Sequence, residues 1–283
     1  MRLDGAAALP DPRHVPHQGR PRCATPCIPP FGELADPGVL AELAAKAETA
    51  GFDGVFLWDH VVRPLRPGLA VCDPWIALAA IAARTERIRI GTRITPLSRR
   101  RPHDVARQAV AIDQLSSGRL ILGVGLGADN GGELSKLGEV DDARSRAEML
   151  DEALDVICRL WIGEPVTYQG NHYRVEGLQF LPRPVQRPRI PIWVAAQSVR
   201  QRPLRRAARF DGVCPETTPD GLREMLRSIE RRRGGLRDYD VAVGGAPGDD
   251  PTPFREAGAT WWLVQFPELT AVREVTAAIE RSR

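Results

Sequence analysis

The strongest constraint on the fold of this chain is a long alternation. From residue 39 to residue 281, short apolar runs suited to buried strands take turns with stretches whose apolar residues recur at helical spacing. Strands are expected over residues 53–58, 87–92, 120–125, 190–195, 211–214, 239–243 and 260–266. Helices are expected over 39–50, 74–84, 103–115, 144–161, 203–210, 220–233, 253–257 and 269–281. Some of the helices carry their own punctuation. Asp73-Pro74 is an N-cap with proline at the first helical position, and Gly51 closes the first helix. Ala147, Leu150, Leu154, Ile157 and Trp161 mark one buried face. Residues 163–188, with their prolines and tyrosines, are expected to be irregular.

Seven strands are one short of a ring. The eighth is sought in residues 22–28 (RCATPCI), a poor strand because Pro26 lacks the N–H that a central strand donates. Eight βα units favour an α/β fold of the closed (β/α)8 TIM-barrel type over a doubly wound sheet. One barrel domain is therefore expected over residues 22–283. Residues 1–21, rich in Pro, Arg, His and Gly and without periodicity, are expected to form a flexible tail or loose cap.

Composition narrows the partners. With 43% apolar and 27% charged residues the chain reads as soluble and globular. Its net charge of +3, from 39 basic and 36 acidic residues, gives no electrostatic reason to expect nucleic acid or an anionic membrane. Arg231-Arg232-Arg233 reads as a solvated helix end. No apolar run is long enough to span a bilayer, and the N-terminus has no apolar signal-peptide core. Cys23, Cys27, Cys72, Cys158 and Cys214 are scattered, suggest no disulfide framework and complete no metal site. A reduced, cytoplasmic protein without a bound metal is the expectation.

In such a barrel the chemistry gathers at the C-terminal ends of the strands. Asp59-His60 ends the second strand. A histidine there can donate to a ligand ring or transfer a proton near neutral pH, or it can merely cap the loop. Gly123, Gly125 and Gly127 end the fourth strand, where missing Cβ atoms allow close approach. With Ala128 they also match the dinucleotide fingerprint, but weakly, since three βα units precede them. Ala195-Ala196-Gln197-Ser198 runs into a helix N-terminus, which suits a phosphate, with Arg200 or Arg202 as neutralising charges; simple N-capping by Ser198 is the plainer reading. Trp261 and Trp262 face opposite sides of the last strand, and one ring is a candidate floor for a substrate pocket. His103, Gln108, His172 and Tyr173 read as surface residues. Neither Ser-His-Asp order nor H-E-x-x-H spacing occurs.

Four patches, in order, carry a resemblance: LAELAAKAETAGFDGVFLWDH, DPWIALAAIAARTERIRIGT, RPHDVARQAVAIDQLSSGRLILGVGLG and RAEMLDEALDVICRLWIGEPVTYQGNHYRV. Together they resemble the bacterial-luciferase-like oxidoreductases. The resemblance implies a TIM barrel, often dimeric, that binds FMN or the deazaflavin coenzyme F-420 at the strand C-termini and acts on a small organic substrate. A flavin reductase fits as partner to the FMN members. It implies His60 as the catalytic residue and Asp59 as a cofactor contact. It also implies a non-proline cis peptide at Arg93–Ile94, after Thr92, pressed against the tricyclic ring. Gly125 and Gly127 would wall the pocket, and Ala195, Ala196, Gln197 and Ser198 would hold the cofactor phosphate. The turn departs from the usual Gly-Gly or Ala-Gly. Members that oxidise glucose 6-phosphate carry an acid after the last glycine, where this chain has Ala128, so that substrate is not expected. The altered turn and the weak first strand also admit a non-catalytic flavin-binding barrel, a carrier or partner subunit.

Overall fold

The computed structural model of the protein describes residues 24–63, 65–197 and 201–281. Eight strands run through it: β1 (Thr25–Ile28), β2 (Gly54–Leu57), β3 (Arg89–Thr92), β4 (Leu120–Gly125), β5 (Ile192–Ala196), β6 (Gly212–Pro215), β7 (Asp240–Gly245) and β8 (Trp261–Gln265). Each pairs in parallel with the next, and β8 pairs back onto β1, Thr25 opposite Leu263 and Cys27 opposite Gln265. The ring is closed, as the alternation predicts, and the fold is a TIM barrel.

A helix follows each strand: α1 (Pro37–Thr49), α2 (Pro74–Arg84), α3 (Pro102–Leu115), α4 (Ala143–Leu160), α5 (Gln201–Ala207), α6 (Pro219–Arg233), α7 (Thr252–Glu256) and α8 (Val272–Arg281). Local chemistry sets several starts. Asp36, Asp73, Asp142 and Thr218 each accept hydrogen bonds from amides of the following first turn. None of the described helices is long and apolar enough to cross a membrane.

Pro26 does not spoil β1. The ladder from β1 to β2 begins only at Cys27, opposite Phe56, so the missing N–H falls outside it. Pro26 faces Val264 on the other side, and all of β1 is buried. The weak first strand is thus a complete barrel member.

The barrel interior is filled by side chains. Phe56 stacks on Trp193 at 4.9 Å between ring centres, and Trp261 meets Trp193 edge-on at 5.1 Å. Asp240 accepts both indole N–H groups, Trp193 at 3.1 Å and Trp261 at 2.8 Å. Trp262 points the other way, into the layer between barrel and helices, against Phe254. Neither tryptophan lines the cavity at the C-terminal rim of the barrel; Trp261 stands at the start of its strand, far from that rim.

One expectation fails outright. Residues 163–188 are not irregular throughout; Pro165–Gln169 and Arg174–Gln179 form an antiparallel hairpin. Alternation at Val166, Tyr168 and Val175 is the signal for it, hidden among prolines. The turn is tied to α4: the amides of Asn171, His172 and Tyr173 all donate to Glu152. The tail expected over residues 1–21 lies outside the described residues, as does Cys23.

Candidate active site

A cavity of about 490 Å³ opens at the C-terminal rim of the barrel. It lies within the ~300–1,000 Å³ usual for cofactor sites. The ends of β2, β3, β4, β5, β6 and β8 all contribute to its lining.

The end of β2 supplies Trp58, Asp59 and His60. Asp59 is buried, and its carboxylate is saturated from within the protein. It accepts from Trp75 Nε1 at 3.1 Å, Thr95 Oγ1 at 2.9 Å, Arg99 Nη2 at 2.7 Å and Arg100 Nη2 at 2.8 Å. Burial alone would raise its pKa, but the charges and hydrogen bonds of Arg100 and Arg99 outweigh that, and it lies below the ordinary Asp value. Arg99 also bonds the Asp59 carbonyl at 2.8 Å. Asp59 therefore clamps the loop bearing His60 to the segment after β3.

His60 stands beside it, with Phe31 and Trp58 as aromatic neighbours at 5.7 and 6.1 Å. Its Nδ1 lies 3.0 and 3.1 Å from the two carboxylate oxygens of Glu133. Glu133 is buried and also accepts the Val61 amide at 3.3 Å. A carboxylate partner makes Nδ1 the protonated nitrogen of the neutral ring and leaves Nε2 as the acceptor. Glu133 reaches inward because its loop is folded by Asp129, which accepts the amides of Leu134 and Ser135 at 2.7 and 3.1 Å.

At the end of β3 the Arg93–Ile94 peptide bond is cis, at the position the resemblance implies. Thr92 is buried and points away from the cavity, donating from Oγ1 to the Gly123 carbonyl at 3.0 Å. The glycines of β4 serve the protein before any ligand. A Cβ on Gly123 would lie 2.1 Å from the Thr92 carbonyl oxygen, and one on Gly125 would lie 1.9 Å from Ile94 Cδ1. Only Gly127, with φ at +71°, borders the cavity itself. The closed ring and these contacts remove the dinucleotide-fingerprint reading.

At the end of β5, Ala195 and Gln197 line the cavity while Ala196 turns into the helix layer. Gln197 Nε2 donates to Glu216, after β6, at 2.9 Å. Ser198 and Arg200 lie outside the described residues, and Arg202 is exposed and does not line the cavity. After β8 come Gln265 and Glu268; Glu268 pairs with Arg63 through two hydrogen bonds, the Nε contact at 3.0 Å. His103, Gln108, His172 and Tyr173 take no part.

Sequence reasoning missed Glu133, Trp58, Glu216 and the Arg63–Glu268 pair. No spacing flags them; they meet only because the barrel closes. Trp58, adjoining Asp59-His60, was the one within reach.

A family model described as luciferase-like monooxygenase matches residues 16–249. The chain is 37% identical over 167 residues to the F420-dependent glucose-6-phosphate dehydrogenase of Microbacterium testaceum, covering 58% of this chain and 48% of that protein. It is 36% identical over 227 residues to the protein of the same name from Nakamurella multipartita, covering 75% and 63%. The chain thus spans about half to two thirds of the length of these relatives. Among solved structures, the coenzyme F420-dependent tetrahydromethanopterin reductase of Methanopyrus kandleri superposes with a TM-score of 0.75 at 18% identity, covering 93% of this chain and 98% of that one.

Proposed function

The chain belongs to the luciferase-like monooxygenase family, and within it we propose an oxidoreductase that exchanges a hydride between the deazaflavin coenzyme and a small organic substrate. The observation that carries this reading is the His60–Glu133 pair on the wall of the rim cavity. The names of the relatives favour the deazaflavin over FMN.

The residues present fit a planar ring. Trp58, Ile94, Pro96 and Leu126 offer apolar surface, Gly127 leaves the wall low, and Gln197, Asn130 and Gln265 offer polar edges. Ile94, Gly127, Ala195 and Gln197 are the proposed cofactor contacts, with the Arg93–Ile94 peptide as backing. Thr92, Gly125 and Asp59 support that wall from behind. The phosphate is assigned to the turn at Ala195, Ala196, Gln197 and Ser198. When bound, the coenzyme supplies the hydride acceptor or donor.

The chain's own part is proton handling and orientation. As a substrate alcohol gives up its hydride, its O–H proton passes to His60 Nε2, leaving a carbonyl. Glu133 holds the imidazole in the accepting tautomer and stabilises it once charged. In the reverse direction the same nitrogen returns the proton. Ala128 stands where a sugar-phosphate-oxidising member would carry its acid, and Glu133 brings a carboxylate to His60 instead. A cytoplasmic homodimer completes the proposal, and a flavin reductase would enter only with FMN.

Titration with both cofactors, read by fluorescence quenching, tests it. The deazaflavin should bind more tightly, and His60→Ala should cut turnover with a panel of small alcohols by ~10²-fold or more while changing binding little. Binding of neither cofactor would sink the reading. Equal loss of binding and turnover would remove His60 from the reaction.

A further inference from the structure

The rim cavity contains three described arginines, and they are not alike. Arg63 is held by Glu268 through two hydrogen bonds. Arg206 is held by Asp151, Nε to Oδ1 at 2.5 Å and Nη2 to Oδ2 at 2.8 Å. Arg93 has no such partner. Its side chain is 8% exposed, its Nε is buried without a hydrogen bond, and its nearest carboxylate, on the largely exposed Glu216, stands 4.0 Å from Nη1. Glu216 is itself committed to Gln197.

A nearly buried guanidinium that lines a cavity with no carboxylate closer than 4.0 Å is costly unless something anionic comes to it. Its Nε is enclosed by protein, which leaves the two terminal nitrogens for the cavity, and their paired N–H groups match the two oxygens of a carboxylate. The charge reaches inward as well. It opposes the burial that pushes the Cys27 and Cys214 thiols up to about 11 and about 12, and these side chains sit on β1 and β6 beneath the cavity. Arg93 therefore spans the top of the barrel interior, under the cavity, where a small substrate would sit.

The geometry points to Arg93 as the residue that selects a substrate bearing a carboxylate, anchored on its terminal nitrogens while His60 faces the reacting carbon. This rests on the substrate-binding role proposed above for the cavity. Among the described lining residues only one positive charge is uncommitted, which suits a monoanion better than a phosphate dianion. Glu216 then acts as a competing anion that the substrate displaces.

The test uses acetate and its uncharged isostere acetamide as probes, at constant ionic strength. Full-length protein is titrated with and without the deazaflavin, and tryptophan fluorescence is followed, since Trp58 lines the cavity. Acetate should bind about tenfold or more tightly than acetamide. Arg93→Gln should erase that difference, with the deazaflavin still bound and the thermal midpoint at or above the parent's. Glu216→Gln should strengthen acetate binding, a gain that a misfolded variant cannot produce. Equal binding of the two probes, discrimination that survives Arg93→Gln, or inorganic phosphate binding more tightly than acetate once the deazaflavin is bound would each overturn the proposal. So would a loss of deazaflavin affinity in Arg93→Gln with acetate binding intact, which would give the charge to the cofactor. Because the acetate arm is also read without cofactor, failure of the cofactor to bind leaves this test standing.

Discussion

His60 Nδ1 and the Glu133 carboxylate meet at 3.0 Å although 73 residues separate them in the chain. One comes from the end of β2, the other from the loop after β4, and β3 lies between. Their meeting sets the tautomer of the imidazole and turns Nε2 into the free acceptor.

Glu133→Gln keeps the shape of that contact but removes its charge. Turnover should fall by ~10²-fold, since the imidazolium formed during proton transfer loses its counter-charge. Deazaflavin affinity should stay within about twofold of the parent. Steady-state kinetics beside a cofactor titration separates the two. Loss of affinity with unchanged turnover would make Glu133 a binding residue.

Gly123 and Gly125 should respond differently to alanine. At Gly123 the new Cβ meets a backbone carbonyl oxygen at 2.1 Å, which only a shift of β3 against β4 can relieve. A loss of ~3 kcal/mol or more is expected in urea unfolding. At Gly125 the obstacle is the tip of the Ile94 side chain, at 1.9 Å, which can rotate. That change should cost only ~1 kcal/mol. Because Ile94 lines the cavity, its displacement should weaken cofactor binding instead.

Asp240 accepts the indole N–H groups of both Trp193 and Trp261 inside the barrel. Asp240→Ala removes the acceptor that these two buried indoles share and should cost ~2–5 kcal/mol. Asp240→Asn retains one acceptor oxygen and should lie between the two. A stability ranking of Asn at or below Ala would refute this account of the core.

Alkaline pH should destabilise the protein through its interior thiols. Burial, opposed by the charge of Arg93, raises Cys27 to about 11 and Cys214 to about 12. In the unfolded chain both ionise near pH ~8.5. Above that pH the unfolded state binds fewer protons than the folded one, so stability drops as pH rises. Each thiol should contribute a slope of ~1.4 kcal/mol per pH unit between about pH 9 and its folded pKa. Urea unfolding between about pH 8 and about pH 10 measures it, and Cys214→Ala should remove one share of the slope.

Of the candidate site, the parts legible in the chain were those that sit at strand ends by simple order. Asp59 and His60 follow β2, and Ile94, Gly127, Ala195 and Gln197 follow later strands, so one cavity gathers them once the ring exists. What those residues do there was not legible. Asp59 looks available in sequence, but Arg99, Arg100, Trp75 and Thr95 consume its carboxylate. Gly123 and Gly125 look like space kept for a ligand, yet Thr92 and Ile94 use that space. The hairpin over residues 165–179 was hidden because its alternation is short and lies between Pro165 and the prolines at 182, 184 and 188.

The barrel follows from local signals along the chain. Apolar periodicity, Asp and Thr caps and glycine stops are local, and eight βα units with one buried side each have few other ways to close. Which charges are spent and which are left is settled by the closed ring. Whether a carboxylate or guanidinium is saturated depends on neighbours tens of residues away, and those neighbours come into range only after closure. Glu133 on His60, and Arg93 with no carboxylate closer than 4.0 Å, are products of that closure.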